Sequence, residues 1–464
     1  MKIDFITSST GGQLILGNSD LSIKAIETDS RNISPGSLFV ALKGSSFNGH
    51  DFVLDAFKKG AAAAIVSDDM EIKSNEISSK ALIKVNDTLE ALHKLAKAYR
   101  QLFNIPVVAV TGSVGKTTTK DIISQCLGSK YQVLKTEGNY NNEIGLPLTI
   151  LRLDDHYGAA VVEMAMRAPG EIAALAKIAQ PTCAVITNVE PVHLETLKTI
   201  TNIACAKCEV LQELNYDDFA LINGDNQQLL SIAREYKCNL YTFGYNKSCD
   251  FRIIDTKVEN TGMQITADLG GVIDTFYFPV PSPRLAGNVA SALGLAKLMD
   301  FDLKQIKDYL CQYNPSGNRL NIKRFPEGGV LINDTYNANP VSMAAALETA
   351  QVLHNQGNLV AVLGDMFELG PYEVDGHLEV GKKAAAVKID KLIILGERAR
   401  YIAEGAINAG VDINKVYVCN SKPEALEYLC KNVFPEDTIL FKASRGMRLE
   451  TLVEEFSNSL LAGG

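Results

Sequence analysis

Tryptophan is absent from the 464 residues, and aromatic residues make up only 7% of them. No apolar run approaches the roughly 20 residues needed to cross a bilayer, so membrane insertion through helices is not expected. A basic excess is missing too: Lys and Arg total 45 against 54 Asp and Glu, a formal charge of −9. Generic nucleic-acid binding needs a basic footprint, so nucleic acid is not an expected partner. Anions must instead be met by local clusters and backbone N–H groups. The 9 cysteines are scattered and odd in number, which argues against a disulfide framework. Only Cys205 and Cys208 form a CxxC, and no second pair completes the ligand set of a structural zinc site. Two small residues on a helix are the expectation there. The first residues, MKIDFITSSTGG, lack the basic and apolar regions of a secretion signal, so the expected compartment is the cytoplasm.

What remains is an ordinary globular composition, 46% hydrophobic and 21% charged, with enough length for about three domains at ~150 residues each. In residues 1–85, Ser37–Leu42 and Ala62–Val66 read as strands with a helix over Phe52–Lys59 between them. Asp87 to Phe103 places Leu89, Leu92, Leu95, Ala96, Tyr99 and Leu102 on one helical face, opened by a capping-box pair, Asp87 and Glu90. From Pro106 the apolar runs Val107–Val110, Ala159–Val162, Cys183–Ile186 and Phe219–Ile222 alternate with helical stretches, the pattern of a parallel sheet. Residues 250–280 read as an antiparallel edge. A third region repeats the alternation at Val330–Ile332, Leu359–Leu363, Lys391–Leu395, Lys415–Val418 and Thr438–Phe441, predicting a second doubly wound sheet. The fold class is therefore α/β in three domains: 1–85, small and α/β; 86–314, a parallel-sheet domain with a P-loop; and 315–464, Rossmann-like.

The sharpest local signal is Thr111-Gly112-Ser113-Val114-Gly115-Lys116-Thr117-Thr118, which joins a buried strand to a helix. Two glycines let the backbone turn so that successive N–H groups point at phosphate oxygens, and the helix N-terminus adds a favourable dipole. Lys116 can reach the outer phosphates and the Thr117 hydroxyl can ligate Mg²⁺. Val110 stands where the full Walker A pattern has its first glycine, so the loop is a shortened form. Glu163 ends one strand and His193 follows another, both at strand ends that face the ligand crevice. Lys207 lies among small residues on a helix, where a surface position is the plain expectation. Asn333–Pro340 packs amides and carboxylates more densely than a helix cap needs, and Lys442 with Arg445 suggests a loop clamp for anions.

In order along nearly the whole chain, these segments resemble the Mur ligases, and among them the MurF family of peptidoglycan synthesis. The likeness is carried by Thr28–Arg31, Gly49–Phe52, the Thr111–Thr118 loop, Gly138–Pro147, Ala206–Glu209, DTYNANP at 334–340, LGDMFELG at 363–370 and KASRGM at 442–447. The resemblance implies an ATP-dependent amide ligase that joins D-Ala-D-Ala to UDP-N-acetylmuramoyl-tripeptide through an acyl phosphate, working as a monomer. It implies a UDP-binding first domain, an ATPase centre and a Rossmann-like third domain. It assigns ATP to the loop with Asn288 (adenine), Arg319 (phosphate), Asp334 (ribose) and Asn337. It assigns Mg²⁺ to Thr117, Glu163, His193 and Lys207, with Lys207 carried as a carbamate, and catalysis to Lys116, Lys207, His193 and Arg319. Ser30, Arg31, Asn139, Asn141 and Asn142 match positions around the UDP substrate. Asn339, His377 and Arg445 match positions near the dipeptide or phosphate. The chain departs from the family pattern at Gly287, where His is common, at Ser291, where a second Asn is common, and at Val114. Other amide ligases of the superfamily, including folylpolyglutamate synthases, remain alternatives. So do a P-loop ATPase or kinase that forms no amide, and a non-catalytic nucleotide-binding module. Whether the tripeptide ends in lysine or diaminopimelate is left open.

Overall fold

Three sheets follow one another along the chain in a computed structural model that describes residues 1–45, 47–70, 79–191 and 194–462. The first contains β1 (Gln13–Leu16), β2 (Ile26–Glu27), β3 (Leu38–Val40), β4 (Ala63–Val66) and β5 (Ala81–Lys84), in the order β1-β5-β4-β3-β2. It is parallel except at β1, which runs antiparallel to β5. A helix over Ile3–Thr10, not anticipated from the sequence, buries Ile3 and Ile6 in this core.

The anticipated amphipathic helix spans Thr88–Arg100, and the Asp87 carboxylate accepts from the Glu90 N–H at 2.7 Å. Its apolar stripe serves two cores. Ala91, Leu92 and Leu95 pack with Ile3 and Ile6, whereas Ala96 packs into the central domain. Arg100, 6% exposed, donates to the carbonyls of Ala179, Phe103 and Ile105. These bonds offset part of the cost of burying its charge.

The second sheet holds β6 (Val107–Thr111), β7 (Val133–Lys135), β8 (Ala159–Glu163), β9 (Cys183–Ile186), β10 (Phe219–Asn223), β11 (Asn239–Gly244), β12 (Phe251–Glu259), β13 (Gly262–Leu269) and β14 (Ile273–Phe278). Its order is β14-β13-β12-β11-β10-β9-β6-β8-β7. Pairing is parallel from β7 to β12, and the β12-β13-β14 end is antiparallel, as the finer alternation over 250–280 predicts. Val107 and Ala109 face one core while Val108 and Val110 face the other. A strand buried on both faces thus reads as a continuous apolar run, and each wholly buried valine contributes about 1.5–3 kcal/mol.

The third sheet runs β15-β16-β20-β17-β18-β19, made of β15 (Asn321–Arg324), β16 (Val330–Asn333), β17 (Leu359–Gly364), β18 (Lys391–Leu395), β19 (Val416–Cys419) and β20 (Thr438–Lys442). The unanticipated β15 is antiparallel to β16, and the other pairs are parallel. Both large sheets turn the C-terminal ends of their strands toward one cleft: the P-loop after β6 and Glu163 on β8 from one side, Asp334 to Asn339 after β16 and Lys442 on β20 from the other. Among the described residues no helix is long and apolar enough to cross a membrane.

Candidate active site

The loop after β6 is shaped by two glycines in left-handed territory, Gly112 at φ +148° and Gly115 at φ +82°. A Cβ on Gly112 would stand 2.0 Å from the Thr187 hydroxyl oxygen, so the site admits no side chain. The segment after β9 lashes the loop down. The Ser113 N–H donates to the Asn188 carbonyl at 3.0 Å, the Val114 N–H to the Asn188 side chain at 2.8 Å, and the Thr187 hydroxyl to the Val114 carbonyl at 2.7 Å. Because Val114 is held through its backbone, an apolar side chain is no loss there. The first amides of the helix Lys116–Leu127 are left to meet an anion.

Lys116 folds back over this loop, donating to the carbonyls of Gly112 at 2.9 Å and Ser113 at 3.2 Å. Burial pulls its pKa below the usual lysine range; Glu163 opposes that shift and Arg319 adds to it. An incoming phosphate would supply the counter-charge that two backbone carbonyls do not.

Glu163 is buried at the end of β8, and both its carboxylate oxygens are engaged. Oε2 accepts from the Thr117 hydroxyl at 2.6 Å and Oε1 from the Asn141 amide at 2.7 Å. The Thr136 hydroxyl accepts the Glu163 N–H at 2.9 Å. Lys207, expected at the surface, is 1% exposed on the helix Ile200–Cys208. Burial first, and Lys116 next, hold its pKa well below the lysine range. His193 lies outside the described residues. A hydroxyl and a carboxylate beside a phosphate-binding loop form a hard-oxygen set that fits Mg²⁺, which commonly takes one or two carboxylates plus substrate phosphates. Among the described residues, no three His, Cys, Asp or Glu side chains cluster as a metal group.

Across the cleft, Asp334 accepts the Leu320 N–H at 3.1 Å and pairs with the Lys442 ammonium at 2.5 Å. Lys442 also donates to the Asn337 carbonyl at 2.9 Å. The expectation that Lys442 serves as a loop anion clamp is therefore corrected: it is buried at the end of β20 and fixes the 334–337 turn. The Arg319 guanidinium lies 3.9 Å from the centre of the Tyr336 ring, and that of Arg445 lies 5.5 Å from the same centre. Arg445 also pairs with Glu450 at 3.1 Å. Asn339 caps the helix Pro340–Leu353, its side chain accepting from the Ser342 N–H while the Ser342 hydroxyl accepts from its own.

The cleft measures about 520 Å³, within the range of small-molecule sites. Ser113 to Thr118, Asn141, Glu163, Asn288, Arg319, Asp334, Asn337 and Asn339 line it. Thr111 is wholly buried beneath the loop, its hydroxyl donating to the Met164 carbonyl. Asn288 supports the loop from the helix Ala286–Leu298, its amide donating to the Thr119 hydroxyl at 2.6 Å. Ser291 is buried and bonded to the Asn288 carbonyl. A Cβ at Gly287 would come no nearer than 4.0 Å to the Phe243 ring.

Other expected residues lie apart from the cleft lining. Arg31 is exposed and forked onto Asp29, and the Ser30 carbonyl accepts from Lys59. Asn139 is exposed, and Asn142 caps the turn at Gly145. His377 is wholly buried: Nδ1 donates to the Glu373 carbonyl at 2.6 Å and Nε2 accepts the Met366 N–H at 3.0 Å. Burial pulls its pKa below the ordinary histidine value, against the opposing pull of the Glu373 carbonyl and Asp365. Both its nitrogens are committed, so in this arrangement it positions the 364–370 loop and offers no ring atom to a dipeptide. Sequence reasoning missed Asp121, which accepts from Lys135 at 2.8 Å and from Ser316 at 2.6 Å, tying the P-loop helix to the segment leading into the third sheet. It also missed the stacking role of Tyr336, although the residue lies inside the quoted 334–340 motif.

The chain matches three family models: the Mur ligase family catalytic domain over residues 22–100, the Mur ligase middle domain over 110–296, and the Mur ligase glutamate ligase domain over 318–445. It is 38% identical over 440 residues to the UDP-N-acetylmuramoyl-tripeptide–D-alanyl-D-alanine ligase of Bacillus subtilis (strain 168), covering 95% of this chain and 94% of that one. A crystal structure of MurF from Acinetobacter baumannii superposes with a TM-score of 0.88 at 27% identity, covering 98% of each chain. MurF ligase from Thermotoga maritima, in complex with ADP, gives 0.84 at 29% identity, covering 96% of this chain and 100% of that one. With its P-loop facing Asp334 and Arg319 across one cleft, the chain belongs to the Mur ligase family, in its MurF branch.

Proposed function

We propose that this chain is the ATP-dependent ligase that joins D-Ala-D-Ala to UDP-N-acetylmuramoyl-tripeptide, giving the UDP-linked pentapeptide, ADP and phosphate. The observation that carries this reading is the convergence, in one cleft, of a P-loop with Lys116 from the central sheet and of Arg319, Asp334 and Asn337 from the third. The 38% identity to a ligase of that name supports it.

A carboxylate is a poor electrophile, so amide formation in water needs activation. In the first step the tripeptide's terminal carboxylate oxygen attacks the γ-phosphorus of ATP, and ADP leaves. Lys116, the amides of the P-loop helix and Arg319 neutralise and align the phosphates, which is most of what phosphoryl transfer asks of a protein. In the second step the dipeptide amine attacks the acyl carbon, and the tetrahedral oxyanion collapses with loss of phosphate. Cations fixed for the first step are already in place for the second. Tyr336 holds the Arg319 guanidinium by stacking, so little reorganisation is needed when charge arrives.

Thr117 and Glu163, with His193 by family resemblance, would hold Mg²⁺, which supplies charge neutralisation at phosphate oxygens. Lys207 is read as a carbamate: its neutral amine adds CO₂ and releases a proton, turning a buried amine beside Lys116 into an anion suited to that site. The first sheet, with Ser30 and Arg31, and the loop bearing Asn139 and Asn142 are read as the holders of the UDP substrate, which requires movement toward the cleft. We take the divisions 1–85, 86–314 and 315–464 as the domain scheme, and the enzyme as a monomer of the cytoplasm, where ATP and UDP-linked precursors are met.

The test is mass spectrometry of products from ATP, D-Ala-D-Ala and the lysine- and diaminopimelate-ending UDP-tripeptides offered separately. The reading requires a pentapeptide product from one of them and phosphate release that depends on the dipeptide. Phosphate release indifferent to any amine would favour a simple ATPase or kinase.

A further inference from the structure

Arg319 enters the cleft from a segment that two different domains hold. On the side of the third sheet, the Asn318 carbonyl accepts from the Tyr336 N–H at 3.0 Å, and the Leu320 N–H donates to Asp334 at 3.1 Å. The guanidinium itself stacks on the Tyr336 ring. On the side of the central sheet, the Ser316 hydroxyl donates to Asp121 Oδ2 at 2.6 Å. Asp121 belongs to the P-loop helix Lys116–Leu127, just over one turn beyond Lys116.

The Asp121 carboxylate is buried and held fast. Its Oδ1 meets Lys135 at 2.8 Å and the buried Lys120 at 3.2 Å, which leaves Oδ2 to receive Ser316. Asp121 and Ser316 both line the nucleotide cleft. Their bond fixes a length between the helix that starts at Lys116 and the segment that carries Arg319. Electrostatics give that length a purpose. Lys116 and Arg319 are like charges, and Arg319 acts on the Lys116 ammonium across the cleft. Until phosphate arrives, their repulsion favours separation. Tyr336 and Asp334 do not oppose it, because they sit on the same sheet as the anchors of Arg319 and move with them. Asp121 does oppose it, because it moves with Lys116.

We infer that Asp121, acting through Ser316, is a positioning residue of the phosphate site: it sets the distance from Arg319 to Lys116 so that both cations meet the same transferring phosphoryl group. The inference rests on the ligase reading above for the role of Arg319 and adds to it the contact that holds Arg319 in place. Asp121 touches neither the nucleotide nor the peptide in this account, and its effect on the reaction passes wholly through Arg319.

The experiment is a double-mutant cycle on Ser316 and Arg319, read as rates of ATP consumption and pentapeptide formation. Ser316 is exposed, so replacing it spares the fold, whereas Asp121→Ala would strand the buried Lys120. Ser316→Ala should lower kcat by about tenfold, the scale of one hydrogen bond to a charged group. The KM for ATP should hold within about threefold, because Lys116 and the loop amides keep their places. Ser316→Thr, which retains the hydroxyl, should stay within about threefold of the wild type. In an Arg319→Ala background, Ser316→Ala should cost less than about twofold, because nothing is left for the bond to position. A bond of structural worth alone would impose the same penalty with and without Arg319. Equal penalties in the two backgrounds, or a Ser316→Thr enzyme as slow as Ser316→Ala, would overturn the inference. A wild type that consumes ATP without forming an amide would instead refute the ligase reading, and the same cycle is then read on ATP consumption alone.

Discussion

Thr117 donates its hydroxyl hydrogen to the Glu163 carboxylate across 2.6 Å, joining the first turn of the P-loop helix to the end of β8. The bond holds two oxygen donors at one corner of the cleft, with Asn141 on the other carboxylate oxygen. Substituting Glu163→Gln keeps the shape and removes the charge. Turnover should fall about a hundredfold, the scale seen when one electrostatic partner of a transition state is lost. Initial rates across a Mg²⁺ titration check this: the midpoint should move to higher Mg²⁺.

Gly115 tests the loop itself. At φ +82° a side chain is strained, and its Cβ would stand 2.6 Å from the Asn288 amide nitrogen that braces the loop. Gly115→Ala should weaken ATP binding by about tenfold or more, since such strain costs on the order of 1–3 kcal/mol. Gly287→Ala, on the next helix with only Phe243 in reach at 4.0 Å, should leave the melting temperature equal or higher. Calorimetric titration with a non-hydrolysable ATP analogue and thermal melts separate the two.

The buried Asp334–Lys442 pair bridges two strand ends 108 residues apart in the chain. Lys442→Met strands the Asp334 carboxylate and should cost about 3–5 kcal/mol in urea unfolding. Adding Asp334→Asn should recover part of that loss, because the orphaned charge goes with it.

Acid should open the junction between the second and third sheets. The Arg284 guanidinium, and after it Lys383, hold the Glu348 carboxyl down at about 2, below its ordinary 4.5. A carboxyl depressed by folding contributes its stability in full above the ordinary value and loses it as pH falls toward the folded one. The melting-temperature difference between wild type and Glu348→Gln should be complete above about pH 5 and shrink progressively between about 4.5 and 2. A difference that grew on acidification would contradict the pairing.

Much of this was legible in the sequence because its signals are local. The helix from Thr88 announces itself by periodicity and by Asp87 at its cap. The continuous apolar run of β6 ending in two glycines and a lysine marks the P-loop, and Glu163 follows as a strand-end residue. Pairings made across distance were not legible. The helix Ile3–Thr10 is built of poor helix formers and exists because Ile3 and Ile6 are buried against the Thr88 helix and the first sheet. Lys207 looks like any surface lysine until its helix is packed. Lys442 looks like an anion clamp until β20 is placed beside β16, where it becomes the partner of Asp334. His377 looks like a substrate ligand until both its nitrogens are seen on backbone groups.

The central claim is that phosphate passes through the peptide acid on its way from ATP, and oxygen labelling tests it most directly. With both oxygens of the tripeptide's terminal carboxylate as ¹⁸O, the account predicts one labelled oxygen in each released phosphate and one retained in the new amide. Unlabelled phosphate formed alongside the pentapeptide would contradict it.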